Sequence, residues 1–97
     1  MSVGLRMPNH VVPLMIMKLS DLPLTSTSAN KHGKTSPLEA EEAILQIGGE
    51  VDLVIDCGRV GGQSSTIIDL TRTPPLLIRE GPVTKEMITK TIGRIED

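Results

Sequence analysis

Three polar segments of the chain contain the residue types that bind anions and nucleotides in proteins. The first, Thr25–Ser36, holds six hydroxyl side chains, one Asn and two Lys within twelve residues. Hydroxyl and backbone donors combined with positive charge suit a phosphate group, and the segment precedes a predicted helix N-terminus, which favours an anion. The pattern predicts a phosphate or nucleotide site, although an ordinary capped turn explains the same composition. It is not a P-loop, because no G-x-x-x-x-G-K-[ST] pattern is present.

The second segment is a glycine-rich turn, and the third feature is a pair of arginines at separate positions. Gly61–Thr66 places two glycines and adjacent hydroxyls before a predicted strand. Arg6 and Arg79 both lie at the ends of predicted strands, and arginine holds a carboxylate or phosphate in a bidentate fork. A simple turn and two surface arginines remain the alternative interpretations.

No metal centre is expected. His10 and His32 have no Cys or carboxylate at the spacing of a structural zinc site. Three aspartates of the predicted strands could meet a cation, but nothing in the sequence fixes their geometry: Asp52, Asp56 and Asp69.

The elements that must position these segments are predicted from caps and periodicity. Asn9 is the expected N-cap of a helix from His10 to about Leu19, in which Val12, Met15, Ile16 and Leu19 form an inward face. Ser36, Pro37 and Glu39 form a capping box for a second helix, which Gly48 and Gly49 end. Thr84 opens a third helix, with Met87, Ile88, Ile92 and Ile95 inward.

Four strands are expected between and before these helices: Val3–Arg6, Val51–Asp56, Ser65–Thr71 and Leu76–Arg79. The apolar run of Val51–Asp56 predicts a strand that is buried on both faces. Helices mixed with strands in this way indicate an α/β or α+β domain. The length allows one domain, residues 1–97.

Composition excludes several classes of protein. The 97 residues carry ten Lys and Arg against twelve Asp and Glu, a net charge of -2, and no aromatic residue. A non-specific nucleic-acid binder would be basic, and single-strand binding uses aromatic stacking. No apolar run reaches the roughly 20 residues of a membrane-spanning helix. The single Cys57 excludes a disulfide scaffold and predicts a cytoplasmic location.

Four strings together resemble a known family. They are V-G-L-R-M-P-N-H at Val3–His10, S-T-S-A-N-K-H-G-K-T-S-P at Ser26–Pro37, S-T-I-I-D-L-T at Ser65–Thr71, and I-R-E-G at Ile78–Gly81. An R-x-P-x-H start followed by S-A-N-x-x-G-x-x-S-P and S-T-x-x-D-L-T is similar to the YrdC/TsaC family. The resemblance covers essentially the whole chain.

The resemblance implies a fold, a reaction and a set of ligands. The fold is a twisted open sheet with flanking helices, of which this chain would be the C-terminal half. Family members make threonylcarbamoyl-adenylate from L-threonine, bicarbonate and ATP, releasing pyrophosphate, and the product feeds the t6A modification of tRNA. ATP would enter as a substrate with Mg²⁺, and no covalent nucleophile is needed.

The resemblance also implies roles for individual residues. Four are expected at the nucleotide: Ser28, Asn30, Ser36 and Arg79. Two are expected at threonine: Arg6 at its carboxylate, and Ser65 at its carbamate end. The family's domain is about twice this length, and the K-R-P-type motif of its N-terminal half is absent here. The expected acidic residue before the S-T pair is Ser64 in this chain.

Several alternatives stay open on the sequence alone. The chain could be a synthase completed by a second chain or a homodimer, or a split product that is inactive alone. It could be a non-catalytic module that binds ATP, double-stranded RNA or tRNA. A carbamoyl-transfer domain of hydrogenase maturation is disfavoured, because those proteins carry zinc-finger regions and this chain has one Cys. No membrane partner is expected.

Overall fold

Three helices and two short strands make up the regular structure of the computed structural model, which describes residues 1–97. The helices are α1 (Val11–Ser20), α2 (Ala40–Ile47) and α3 (Lys85–Ile92), and a 3-10 turn, Gly48–Glu50, follows α2. The strands are β1 (Ile67–Asp69) and β2 (Leu76–Arg79). The chain divides into two units, Met1–Asp56 and Cys57–Asp97. None of the helices is both long enough and apolar enough to cross a membrane.

Helix α1 begins one residue later than predicted, because His10 caps it and Asn9 does not. The Nδ1 atom of His10 accepts a hydrogen bond from the Val12 N–H at 3.1 Å. At the other end Asp21 adopts the left-handed conformation and donates its N–H to the Met17 carbonyl at 2.9 Å. Of the predicted inward residues, Val12 is half-buried, but Met15, Ile16 and Leu19 are exposed, Leu19 by 78%.

The predicted capping box before α2 is wrong. The helix begins at Ala40 with Glu39 as its N-cap residue. The hydroxyl of Ser36 instead donates to the side chain of Asn30, and the carboxylate of Glu42 accepts the Leu38 N–H at 3.1 Å. No side chain caps α2: the Glu42 carboxylate bonds to a residue that precedes the N-cap Glu39, and Ser36 lies outside the first turn.

Strands β1 and β2 pair antiparallel. Ile67 lies opposite Arg79 and Asp69 opposite Leu76, and the register is irregular between Ile67 and Ile68. The predicted bounds of β2 are confirmed, whereas β1 is shorter than the predicted Ser65–Thr71. The Glu96 carbonyl accepts the Leu77 N–H at 2.7 Å, and the Glu96 N–H donates to the Pro75 carbonyl at 2.9 Å. These bonds place the C-terminal residues beside β2.

The other two predicted strands, Val3–Arg6 and Val51–Asp56, are not strands in the structure. A strand needs a partner strand for its backbone N–H and C=O groups, and neither segment is part of the sheet or of an isolated bridge. Val51–Asp56 is also exposed, with Leu53 at 78%, where the apolar run predicted burial on both faces.

Helix α3 is confirmed at its start. The hydroxyl of Thr84 accepts the Met87 N–H at 3.3 Å, and Gly93 ends the helix with a φ of 88°. Of the predicted inward residues, Ile95 is buried at 6% exposure, but Met87 and Ile92 are about half exposed. Helices with a small antiparallel sheet place the chain in the mixed α+β class that the sequence predicted.

Candidate functional site

The Thr25–Ser36 segment, called here the hydroxyl loop, is organised by the side chain of Asn30. The Nδ2 atom of Asn30 donates to the carbonyls of Lys31 at 3.1 Å and Lys34 at 3.0 Å. Its Oδ1 atom accepts from the Ser36 hydroxyl at 3.4 Å. Within the turn the Lys34 N–H donates to the Lys31 carbonyl at 2.9 Å, and Gly33 has a φ of 80°, which favours glycine.

Gln46 of α2 joins the two ends of this turn. Its Oε1 atom accepts the Lys31 N–H at 2.9 Å, and its Nε2 atom donates to the Thr35 carbonyl at 3.1 Å. Gln46 was not predicted as a site residue, because it belongs to no motif and its partners lie 11 and 15 positions away. The hydroxyl loop is therefore fixed to a helix as well as to itself.

The loop leaves donors for a ligand. The Ser28 hydroxyl and the ammonium groups of Lys31 and Lys34 make no hydrogen bond or ion pair within the chain, and all three residues are exposed. The N-terminus of α2 does not add to this donor set, because Glu41 and Glu42 stand in its first turn. Any anion at this loop would be held by the loop's own donors and charges.

The second group of predicted residues lies at the end of the sheet. It comprises Ser65, Thr66, Arg79 and Gly81, and is called here the strand-end cluster. The Nε atom of Arg79 donates to the Ser65 carbonyl at 2.9 Å. The terminal guanidinium nitrogens of Arg79 and the hydroxyl of Ser65 have no partner in the chain. Two groups suited to an anionic or polar ligand are thus neighbours across β1 and β2.

Thr66 and Gly81 hold the turn that follows Arg79. The Thr66 hydroxyl accepts the Gly81 N–H at 2.8 Å and donates to the Val83 carbonyl. Gly81 is buried, and a Cβ atom there would overlap the carbonyl oxygen of Ser64. The close approach requires glycine at this position.

Asp69, considered above as a cation ligand, is engaged with the turn after β1. Its Oδ1 atom accepts from the Thr71 hydroxyl at 2.6 Å and from the Thr71 N–H at 2.8 Å. These two bonds hold the pKa of the Asp69 carboxyl below its ordinary value, with a smaller contribution from the charge of Arg72. No set of three or more His, Cys, Asp or Glu side chains is placed to hold a metal ion.

The structure brings some predicted site residues together and leaves others separate. Asn30 contacts Ser36, and Ser65 contacts Arg79. Ser28 contributes a backbone carbonyl to the Thr27 hydroxyl at 3.2 Å. Arg6 lies in an exposed segment without regular structure and makes no hydrogen bond or ion pair within its unit.

Comparison with known proteins shows a family whose sequence model matches most of this chain. The sequence model of the Sua5, YciO and YrdC family, which carries the description telomere recombination, matches residues 1–81. A threonylcarbamoyl-AMP synthase of Pyrococcus abyssi is 41% identical over 95 residues, which are 97% of this chain and 28% of that protein. One from Bacillus subtilis is 38% identical with the same two shares.

Solved structures agree with the sequence comparisons. A double variant of P. abyssi Sua5 superimposes with a TM-score of 0.82 over 94% of this chain and 27% of its own. Sua5 of the same organism complexed with L-threonine gives a TM-score of 0.80 over 94% of this chain and 28% of its own, and both are 41% identical to this chain. The chain spans about 28% of the length of these two curated relatives.

Proposed function

We propose that this chain, which belongs to the Sua5, YciO and YrdC family, forms part of the substrate site of a threonylcarbamoyl-AMP synthase. The relatives with that name are similar to nearly the whole chain, and one relative has been solved with L-threonine. The chain spans only part of their length, so the proposal concerns the ligand contacts that these residues can make. The substrates would be ATP with Mg²⁺, L-threonine and bicarbonate, and the product would serve the t6A modification of tRNA.

The strand-end cluster is the observation that carries this proposal. Arg79 is oriented through its Nε atom, which leaves its terminal nitrogens for the nucleotide in a bidentate geometry. Ser65 presents a hydroxyl beside it, for the threonine or its carbamate. An arginine already fixed by the protein loses less conformational freedom when it binds.

Within the Met1–Asp56 unit, the hydroxyl loop by itself offers donors and positive charge that suit a phosphate group. Ser28 offers a hydroxyl and Lys31 and Lys34 offer positive charge, whereas Asn30 and Ser36 are bonded to each other and shape the loop. The resemblance assigns the threonine carboxylate to Arg6, whose exposed side chain makes no hydrogen bond or ion pair within its unit.

The chemistry needs positioning and charge stabilisation. Bicarbonate takes up a proton and loses water to give CO₂, and the threonine amine adds to CO₂ and loses a proton, giving a carbamate. A carbamate oxygen then forms a bond to the α-phosphorus of ATP, and the bond from that phosphorus to pyrophosphate breaks. Arginine and lysine side chains near the phosphates lower the cost of the charge that accumulates there.

A second candidate is nucleotide binding without turnover. It rests on the donors of Arg79 and Ser65, which suit ATP whether or not the other substrates react. Threonine and bicarbonate then would not convert ATP to pyrophosphate, although ATP would still bind. The two candidates share the Arg79 contact and differ only in release of pyrophosphate.

Titration of the 97-residue chain with MgATP by calorimetry tests the shared contact. We expect the wild-type chain to bind, and Arg79→Ala to weaken binding by about tenfold or more, since hydrogen bonds to charged groups contribute about 1.5–3 kcal/mol. Arg94→Ala removes an arginine of the same unit that pairs with Glu96 at the surface and should bind as wild type. Absence of binding, or equal affinity in Arg79→Ala, would contradict the proposal.

A further inference from the structure

We propose that Thr66 is a positioning residue of this site: its hydroxyl ties down the turn after β2 and thereby fixes the guanidinium of Arg79. This inference rests on the proposed function, because Arg79 matters here as a ligand contact. The resemblance assigns a ligand to Ser65 and none to Thr66. The structure gives the two adjacent hydroxyls different surroundings.

The Thr66 hydroxyl is engaged within the protein both as a donor and as an acceptor. It accepts the Gly81 N–H at 2.8 Å and donates to the Val83 carbonyl at 2.5 Å. A hydroxyl has a single proton to donate, so Thr66 has none left for a ligand. The neighbouring Ser65 hydroxyl has no partner in the chain and remains available to one.

Arg79 is held from the same two-residue segment. Its Nε atom donates to the carbonyl of Ser65 at 2.9 Å, while the main chain two residues later is bonded to Thr66. The side chain of Arg79 is therefore bonded to Ser65, and the backbone of the turn that follows Arg79 is bonded to Thr66.

The turn has little freedom to settle elsewhere once these bonds form. Gly81 is buried against the backbone of Ser64 and Thr66, with no room for a Cβ atom. The β1–β2 register is irregular directly beside this point, between Ile67 and Ile68, and Arg79 lies opposite Ile67. Sheet pairing alone leaves the position of Arg79 less determined here, and the Thr66 hydroxyl adds the missing constraint.

Two substitutions separate the hydroxyl from the shape of the side chain. Thr66→Val replaces the hydroxyl with a methyl group, and Thr66→Ser keeps the hydroxyl. We expect Thr66→Val to weaken MgATP binding by about five- to tenfold, which corresponds to a lost hydrogen bond, and Thr66→Ser to bind within about twofold of wild type. Thr89→Val is the matched control, since it removes a hydroxyl that donates to the Lys85 carbonyl in the same unit.

The Arg79 Nε–H signal in a ¹H–¹⁵N spectrum reports the position directly. We expect a resolved signal that exchanges slowly with water in the wild type, Thr66→Ser and Thr89→Val, and rapid exchange in Thr66→Val. Unchanged ATP affinity together with an unchanged Arg79 signal in Thr66→Val would overturn the inference. Failure of Thr66→Ser to restore the signal would also overturn it.

Two further measurements distinguish failure of this inference from misfolding of a variant and from failure of the proposed function. If Thr66→Val does not fold, exchange of the Gly81 N–H decides: protection in the wild type and Thr66→Ser supports the Thr66 bond, and rapid exchange in either overturns it. If the wild type does not bind MgATP, the proposed function fails. The Arg79 signal then still decides whether Thr66 positions Arg79.

Discussion

At the scale of single residues, Asn30 and Ser28 differ in what they can offer a ligand. The family resemblance assigns both to the nucleotide. In the structure the Asn30 amide is bonded to the carbonyls of Lys31 and Lys34, whereas the Ser28 hydroxyl is unpaired. Asn30 therefore acts on the shape of the loop, and Ser28 remains the candidate for direct contact.

Asn30→Asp should open the hydroxyl loop. The carboxylate is the same size as the amide but has no proton for the two carbonyls, and removing one partner of a hydrogen bond costs about 1–3 kcal/mol when the other stays unpaired and buried, less when it is exposed. We expect faster hydrogen exchange of the Lys34 N–H and weaker MgATP binding. Exchange measured by NMR and affinity measured by calorimetry check this.

Asn9→Asp provides the control for Asn30→Asp. It makes the same charge change at an exposed residue of the same unit, outside the hydroxyl loop. Equal effects of the two substitutions would show that charge, and not the loop bonds, determines binding.

At the scale of elements, α2 acts as the support of the hydroxyl loop through Gln46. Gln46→Met keeps the length and helix propensity of the side chain but removes both hydrogen bonds to Lys31 and Thr35. We expect α2 to persist in circular dichroism while the Lys31 N–H loses protection from exchange.

An exposed residue of the same helix supplies the comparison. Leu45 is 82% exposed, and Leu45→Met should leave the Lys31 N–H protected. A protected Lys31 N–H in Gln46→Met would mean that the loop holds its shape without α2, and the supporting role would be wrong.

The elements also show which local signals in the sequence were sufficient. The Thr84 cap and the β2 bounds were predicted correctly, because each depends on a few neighbouring residues. Val51–Asp56 was predicted as a strand from its apolar run. A strand also needs a second strand to pair with, and the sheet of the structure contains only β1 and β2. The predicted Ser36 capping box was wrong because α2 begins at Ala40 with Glu39 as its N-cap residue, which leaves Ser36 outside the first turn.

The residues of the candidate site likewise fall into those that sequence motifs identified and those that they did not. Motifs identified Ser65 and Arg79, which the structure places in contact, while their ligand roles stay predictions. Thr66 and Gln46 were not given a role, because their partners lie 11 to 17 positions away. Composition can mark a segment as polar, but it does not reveal which hydroxyl is engaged by the protein and which is left for a ligand.

At the scale of the whole molecule, very little apolar surface is buried. No residue of the Met1–Asp56 unit is buried, and in the Cys57–Asp97 unit only Gly81 and Ile95 are. Large apolar side chains remain open to solvent, among them Leu5 at 90%. Apolar burial contributes about 25 cal/mol per Å², so the chain alone has a small reserve of stability, and bound ligand should change it measurably.

The most direct test of the proposed site is a far-UV circular dichroism melt of the 97-residue chain with and without MgATP and L-threonine. The chain has no Trp or Tyr for intrinsic fluorescence. Ligand at about 100 times its dissociation constant stabilises the folded state by about 2.7 kcal/mol, and each kcal/mol moves the midpoint by about 4–8 °C in a domain of this size. We predict a midpoint that rises by about 10–20 °C in the wild type and much less in Arg79→Ala. A wild-type midpoint that does not move with saturating ligand would contradict the account.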